Sequence, residues 1–150
     1  MASKILTYNQ AVVLSDRQDR SSIHLLNGSF NGQAVARGYY SVFTLVSFVV
    51  FRRPDWPMSK WRDGTDRQNV SHEDVPKYVE MALYVTQGHS LAPRQARVDA
   101  TELLSQRVAA DYFGYQDISD SMARRLLGNC SAIRSVLMDT AKLHQTSNLR

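Results

Sequence analysis

A single cysteine, Cys130, stands in a chain of 150 residues. One thiol makes no internal disulfide and has no CxxC partner. That excludes a disulfide framework and the usual structural zinc site, and it fits a reducing compartment. Glutamate is almost as scarce: Glu73, Glu80 and Glu102 are the whole complement, and no carboxylate pair for acid–base work can be picked out from them. The histidines, His24, His72, His89 and His144, never fall at HExxH spacing or at i, i+4. In SHEDVP the adjacent His72, Glu73 and Asp74 cannot all face one metal, and a capping role explains Asp74 better. GSFNG at 28–32 has no lysine and reads as turns rather than a phosphate loop, and no GxSxG elbow occurs. The expectation is a protein that is no enzyme, with no catalytic set, no metal and no cofactor.

Long apolar runs are missing too. The longest, YYSVFTLVSFVVF at 39–51, is interrupted by Ser41, Thr44 and Ser47. It falls short of the about 20 residues that a membrane helix needs, so no membrane role is expected. The start, MASKILTYNQ, has one lysine and no apolar core of a signal peptide, so export is not expected. No internal repeat and no segment of disordered composition is visible. The length suits one domain over residues 1–150.

What the chain does have is arginine. Its 18 basic and 14 acidic residues leave a net charge of +4, and 14 of the basic residues are arginines against four lysines. Arginine grips phosphate or carboxylate with a planar fork and stacks on flat rings, as a nucleic-acid surface requires. The plain alternative is a set of arginines spread over a solvated face.

The most unusual stretch is FRRPDWPMSKWRDGTDR at 51–67, which holds both tryptophans, two of the four prolines, five basic residues and three aspartates. The segment from Arg52 to Val70 that joins the two halves is long for a connector, and long connectors in compact domains are functional or disordered more often than not. If it meets nucleic acid, Arg52, Arg53, Lys60, Arg62 and Arg67 hold the phosphates and Trp56 or Trp61 takes a base or a neighbouring subunit. Arg94 and Arg97 complete the candidate set. If it does not, the stretch folds back as a lid. Because charges and prolines flank both tryptophans, at least one of them is expected to lie at a contact rather than fully in the core.

The first half reads as strands. ILTY and AVVL are short apolar runs. Asn27-Gly28 is a hairpin signal, and 39–51, rich in β-branched and aromatic residues with both alternating faces apolar, reads as a covered central strand. A buried helix remains open there, since periodicity does not separate the two in so short a run. The second half reads as helices. Asp74 caps the first, with Pro76 in its first turn, and Gly88 stops it. The next starts at Ser90 with Pro93 in its first turn and runs toward Gly114. Ser119–Leu127 is stopped by Gly128, and a last helix starts near Asn129. The fold class expected is therefore α+β. It has a small N-terminal antiparallel β region at about 4–51, a long Trp/Arg loop, and a C-terminal bundle of three to four helices at about 74–146.

Three functions fit. The first is a self-associating nucleic-acid-binding structural protein of coat or nucleocapsid type, with RNA favoured over DNA. It would be a homo-oligomer, cytoplasmic or within a nucleoprotein assembly. The second is a helix-turn-helix DNA-binding regulator. DISDSMARRLLGNCSAIRSVLMD has its outline, with Ser131 and Arg134 early in a recognition helix, although the glycine comes one place late. The third is a protein-interaction or assembly subunit without nucleic acid, using Trp, Tyr and Arg as its anchors.

Overall fold

The computed structural model describes residues 6–53, 55–56, 70–112 and 118–143. Its elements in chain order are α1 (Tyr8–Asn27), α2 (Asn31–Phe51), a short 3-10 turn (His72–Asp74), α3 (Val75–Val85), α4 (Pro93–Tyr112) and α5 (Asp120–Leu143). There is no strand among the described residues. The expected α+β class, with its β region at about 4–51, is thereby corrected. The N-terminal half is a pair of long helices, and the fold is all-helical.

The start of α1 is set by a capping box. The Thr7 hydroxyl accepts from the Gln10 backbone N–H at 3.1 Å, and the Gln10 side chain accepts from the Thr7 N–H at 2.9 Å. The buried face of α1 is mostly small: Ala11, Ser15, Ser22 and Leu26. Small residues let α1 lie close against α2, and Ser15 donates to the backbone carbonyl of Ser41 at 2.8 Å. Asn27-Gly28 turns the chain between two helices instead of two strands. The Gly28 N–H reaches the His24 carbonyl at 3.1 Å, and Ser29 takes a φ of 65°.

Residues 39–51 form the larger part of a 21-residue helix, α2. β-branched and aromatic residues favour strands, but a helix apolar all round is suited to burial on every side. α2 occupies that place: it packs against each of the other four α-helices and buries Tyr39, Val42, Leu45, Val46, Val49 and Val50. Its length and composition would also let it cross a bilayer, but 67% of its apolar window is buried inside this fold.

The second half follows the sequence more closely. Pro76 lies in the first turn of α3, and Pro93 opens α4. Asp74 stands at the α3 cap position without a capping hydrogen bond, and it pairs loosely with Lys77 at 3.7 Å. The expected break at Gly128 does not occur. The buried residues Ala123, Leu126, Cys130, Ile133, Leu137 and Thr140 keep one helical register from end to end. The close approach is elsewhere. A Cβ on Gly38 of α2 would meet Leu127 Cδ2 at 2.5 Å and Cys130 Sγ at 3.1 Å, so α2 and α5 pack as tightly as they do because residue 38 has no side chain.

Candidate interaction surface

The Trp/Arg stretch divides at the edge of the described residues. Lys60, Trp61, Arg62 and Arg67 lie outside them. Arg52, Arg53 and Trp56 lie inside, and all three are engaged internally. Trp56 is 4% exposed. Its ring lies parallel to that of Tyr78, with centroids 5.8 Å apart and 8° between the planes. The Arg53 guanidinium sits 4.8 Å from the indole and pairs with Asp55 at 2.7 Å. Arg52 donates to the Leu6 carbonyl at 3.1 Å and covers the Phe48 ring at 4.8 Å. Trp61, the other tryptophan of the pair of which at least one is expected at a contact, lies outside the described residues, and Trp56 belongs to the core. Polar flanks do not expose it, because Arg53 and Asp55 satisfy each other around the ring.

The helix-turn-helix outline loses its turn, since α5 is continuous through Gly128. Ser131 is exposed on α5, but Arg134 points the other way. Only 7% of Arg134 is exposed. It donates to Ser15 Oγ at 2.9 Å, pairs with Asp16 and lies 3.5 Å from Asp19. This arginine clamps α5 to α1 and does not reach outward.

A second internal network was invisible in the sequence apart from the Tyr39-Tyr40 pair. The Tyr39 hydroxyl is 2.7 Å from His72 Nδ1, and the imidazole stacks on Phe43 with centroids 4.3 Å apart. Arg107 donates to the Tyr40 hydroxyl at 2.8 and 3.2 Å and pairs with Asp111 at 3.1 Å. Burial pushes the Tyr39 phenol well above its ordinary value. Burial, and then the Arg107 charge, hold His72 below its own. Both groups are therefore neutral near pH 7 and share one hydrogen bond. The network fastens the 72–74 turn to α2 and α4.

One open, charged surface among the described residues lies between α3 and α4. A groove of about 740 Å³ is lined by Glu80, Arg94, Arg97, Val98, Thr101 and Glu102, so two of the arginines singled out from the sequence, Arg94 and Arg97, come together in it. Arg97 pairs with Glu80 at 3.0 Å. Glu102 accepts twice from Arg125, at 2.8 and 3.1 Å, and that bonding holds its carboxyl below the ordinary value. Arg94 is exposed and makes no ion pair among the described residues. Counting Arg125 with the lining, three arginines face two glutamates, a surplus of one positive charge. Arg17 and Arg20 of α1 and Arg37 of α2 are likewise exposed and without an ion pair among the described residues.

Among the described residues no group of three or more His, Cys, Asp or Glu side chains could hold a metal ion. Cys130 is fully buried, and burial pushes its thiol up to about 12, which makes it a packing residue in this fold. The chain matches no protein-family model, no curated protein and no solved structure.

Proposed function

We propose that the protein is a non-enzymatic, self-associating structural protein that binds nucleic acid, RNA in preference to DNA, as a coat or nucleocapsid subunit does. The observation that carries this reading is a population of exposed arginines without an ion pair, set apart from those engaged inside the fold and from Arg97, Arg124 and Arg125, which are exposed but paired with Glu80, Asp120 and Glu102. Arg52, Arg53, Arg107 and Arg134 are turned into internal contacts. Arg17, Arg20, Arg37 and Arg94 stand exposed on helices with no ion pair among the described residues. Cations of this kind need not break an existing pair to meet a phosphate, and each one that does so releases condensed counterions. RNA is favoured because an exposed aromatic ring, Tyr84, is of use to an unstacked base and of little use to a duplex. Self-association would use the apolar side chains that α1 and the following turn leave exposed: Val13, Leu14, Ile23 and Phe30.

Those same four side chains favour a second reading, an assembly subunit that touches no nucleic acid. One preparation separates the two. The purified protein is passed over a gel-filtration column with absorbance read at 260 and 280 nm, and its nuclease-treated form is titrated with single-stranded RNA at low and moderate salt. A large, RNA-bearing species with salt-dependent binding supports the first reading. An RNA-free oligomer that ignores added RNA supports the second. An RNA-free monomer that shifts no RNA removes both.

A further inference from the structure

We propose that the end of the α3–α4 groove nearest the connection between those helices seats one nucleotide unit of a single strand. The base lies on the ring of Tyr84 and the phosphate on the guanidinium of Arg94. The proposal rests on the nucleic-acid reading above and names the contact it would use.

The placement follows from helix geometry. The Glu80–Arg97 pair, at 3.0 Å, fixes where the two helices face each other. Four residues on from Glu80 along α3 stands Tyr84, and three residues back from Arg97 along α4 stands Arg94. Side chains three or four apart share one face of a helix. Both steps lead toward the seven residues, 86–92, that join α3 to α4. Arg94 therefore lines the groove at the end where Tyr84, just beyond the lining residues, stands on the neighbouring helix α3. Tyr84 is 67% exposed and Arg94 is exposed. Neither side chain makes a hydrogen bond or ion pair among the described residues.

Charge decides which end an anion enters. Farther along the groove Arg97 is neutralised by Glu80 and Glu102 by Arg125, which leaves Arg94 as the cation to attract it. Val98, four residues beyond Arg94 and also exposed, supplies apolar surface between the two walls. The connection behind this end is already braced. Gly88 takes a φ of 81°, His89 Nε2 is 2.8 Å from Asp139, and Leu91 packs on the core. The walls are thus held in place without a ligand, so little ordering cost falls on binding. A lone cation would accept a free phosphate or an acidic side chain equally well. The flat, exposed ring of Tyr84 beside this end is what selects a planar base attached to the anion.

The test uses the full chain and three probes in fluorescence anisotropy: a short labelled oligouridylate, a matched abasic strand, and inorganic polyphosphate. Tyr84→Ala is expected to weaken the oligouridylate by about fivefold or more, leave the abasic strand and polyphosphate unchanged, and leave the salt slope unchanged. Tyr84→Phe keeps parental affinity. Arg94→Ala weakens all three probes and lowers the salt slope by about 0.7, the share of one phosphate contact on a single strand. Unchanged melting temperatures establish that these exposed substitutions leave the fold intact. A parent protein that binds the oligouridylate, with both alanine variants binding it equally well, overturns the seat and leaves the broader reading standing. A parent that binds none of the probes overturns both. A Tyr84→Ala protein that changes its elution volume but not its RNA affinity identifies the ring as a protein contact and overturns the seat.

Discussion

The indole of Trp56 lies on the phenol ring of Tyr78, nearly parallel and 5.8 Å from it. This one contact ties the beginning of the Trp/Arg stretch to α3 and closes the core over the end of α2. Trp56→Ala removes a large, almost fully buried side chain and is expected to cost about 3–5 kcal/mol of folding stability. That is a large share of what a domain of this size has to spare. Trp56→Phe keeps a stacked ring and should cost clearly less. Denaturant midpoints of the two variants against the parent measure the difference. A loss below about 0.5 kcal/mol for the alanine variant, the level of an ordinary surface change, would mean that Trp56 is no part of the core.

Arg134 carries a different kind of load. It is buried, its partners sit on another helix, and two of them, Asp16 and Asp19, keep contact with water at the α1 surface. Removing the arginine therefore strands no acid in the dry interior, but it takes away hydrogen bonds to charged groups. Arg134→Ala should cost about 1.5–3 kcal/mol, well above the value for an exposed arginine. Arg134→Met, which refills the volume without charge, should recover part of that loss. Equilibrium unfolding of both variants provides the check. An alanine variant as stable as the parent would show that the α1–α5 clamp contributes nothing.

The two halves of the chain were legible to different degrees, and particular residues account for it. In α3 and α4 the apolar stripe alternates with charges at helical spacing, and Pro76 and Pro93 fall in first turns, so local signals and fold agree. In α1 the buried face is Ala11, Ser15, Ser22 and Leu26. Two serines in the helix–helix contact carry no hydrophobic signal, and the eye goes instead to the short runs ILTY and AVVL. The Thr7–Gln10 capping box was present in the sequence as TxxQ and was the clue available there. In α2 the β-branched residues pointed to a strand, and burial on every side by four helices overrode them. Of the binding candidates, Arg94 and Arg97 sit on an open groove. Arg52, Arg53, Trp56 and Arg134 could not be known as internal until their partners Leu6, Asp55, Tyr78 and Ser15, distant in sequence for all but one, were in place.

His72 makes stability depend on pH in a definite direction. Its folded value is held below the ordinary 6.5, first by burial and then by the Arg107 charge. The unfolded chain therefore takes up a proton before the folded one does. Above about pH 6.5 both states are neutral at this residue and its contribution is fully present. As pH falls below that, the unfolded state gains, and stability is lost until the folded value is passed. Among the described residues the groups facing the imidazole are Tyr39, Tyr40, Phe43 and Arg107, and none of these supplies an acid to reverse the sign. His72→Asn, which offers Tyr39 an acceptor that does not titrate, should be less stable than the parent at pH 7.5. The gap between the two should narrow as pH drops from 6.5 to 5. A gap that stays constant, read from melting temperatures across that range, would place the titration elsewhere.

Gly128 provides the sharpest test of the continuous α5. A Cβ built there has nothing within 4 Å, and its φ is not in the left-handed region. The residue is exposed and sits inside a 24-residue helix. Glycine at an exposed helical site costs about 0.8–1.0 kcal/mol relative to alanine, because the unfolded chain loses more freedom on folding. Gly128→Ala should therefore stabilise the protein by about that amount and leave unchanged any binding of RNA or DNA that the parent shows. If residues 119–127 and 129–141 were two helices joined by a turn at this glycine, the opposite would follow. The turn would need the glycine's freedom, alanine there would be destabilising, and any duplex binding through Ser131 would fall with it. A thermal unfolding curve of the single variant, with its far-ultraviolet circular dichroism beside that of the parent, separates one helix from two.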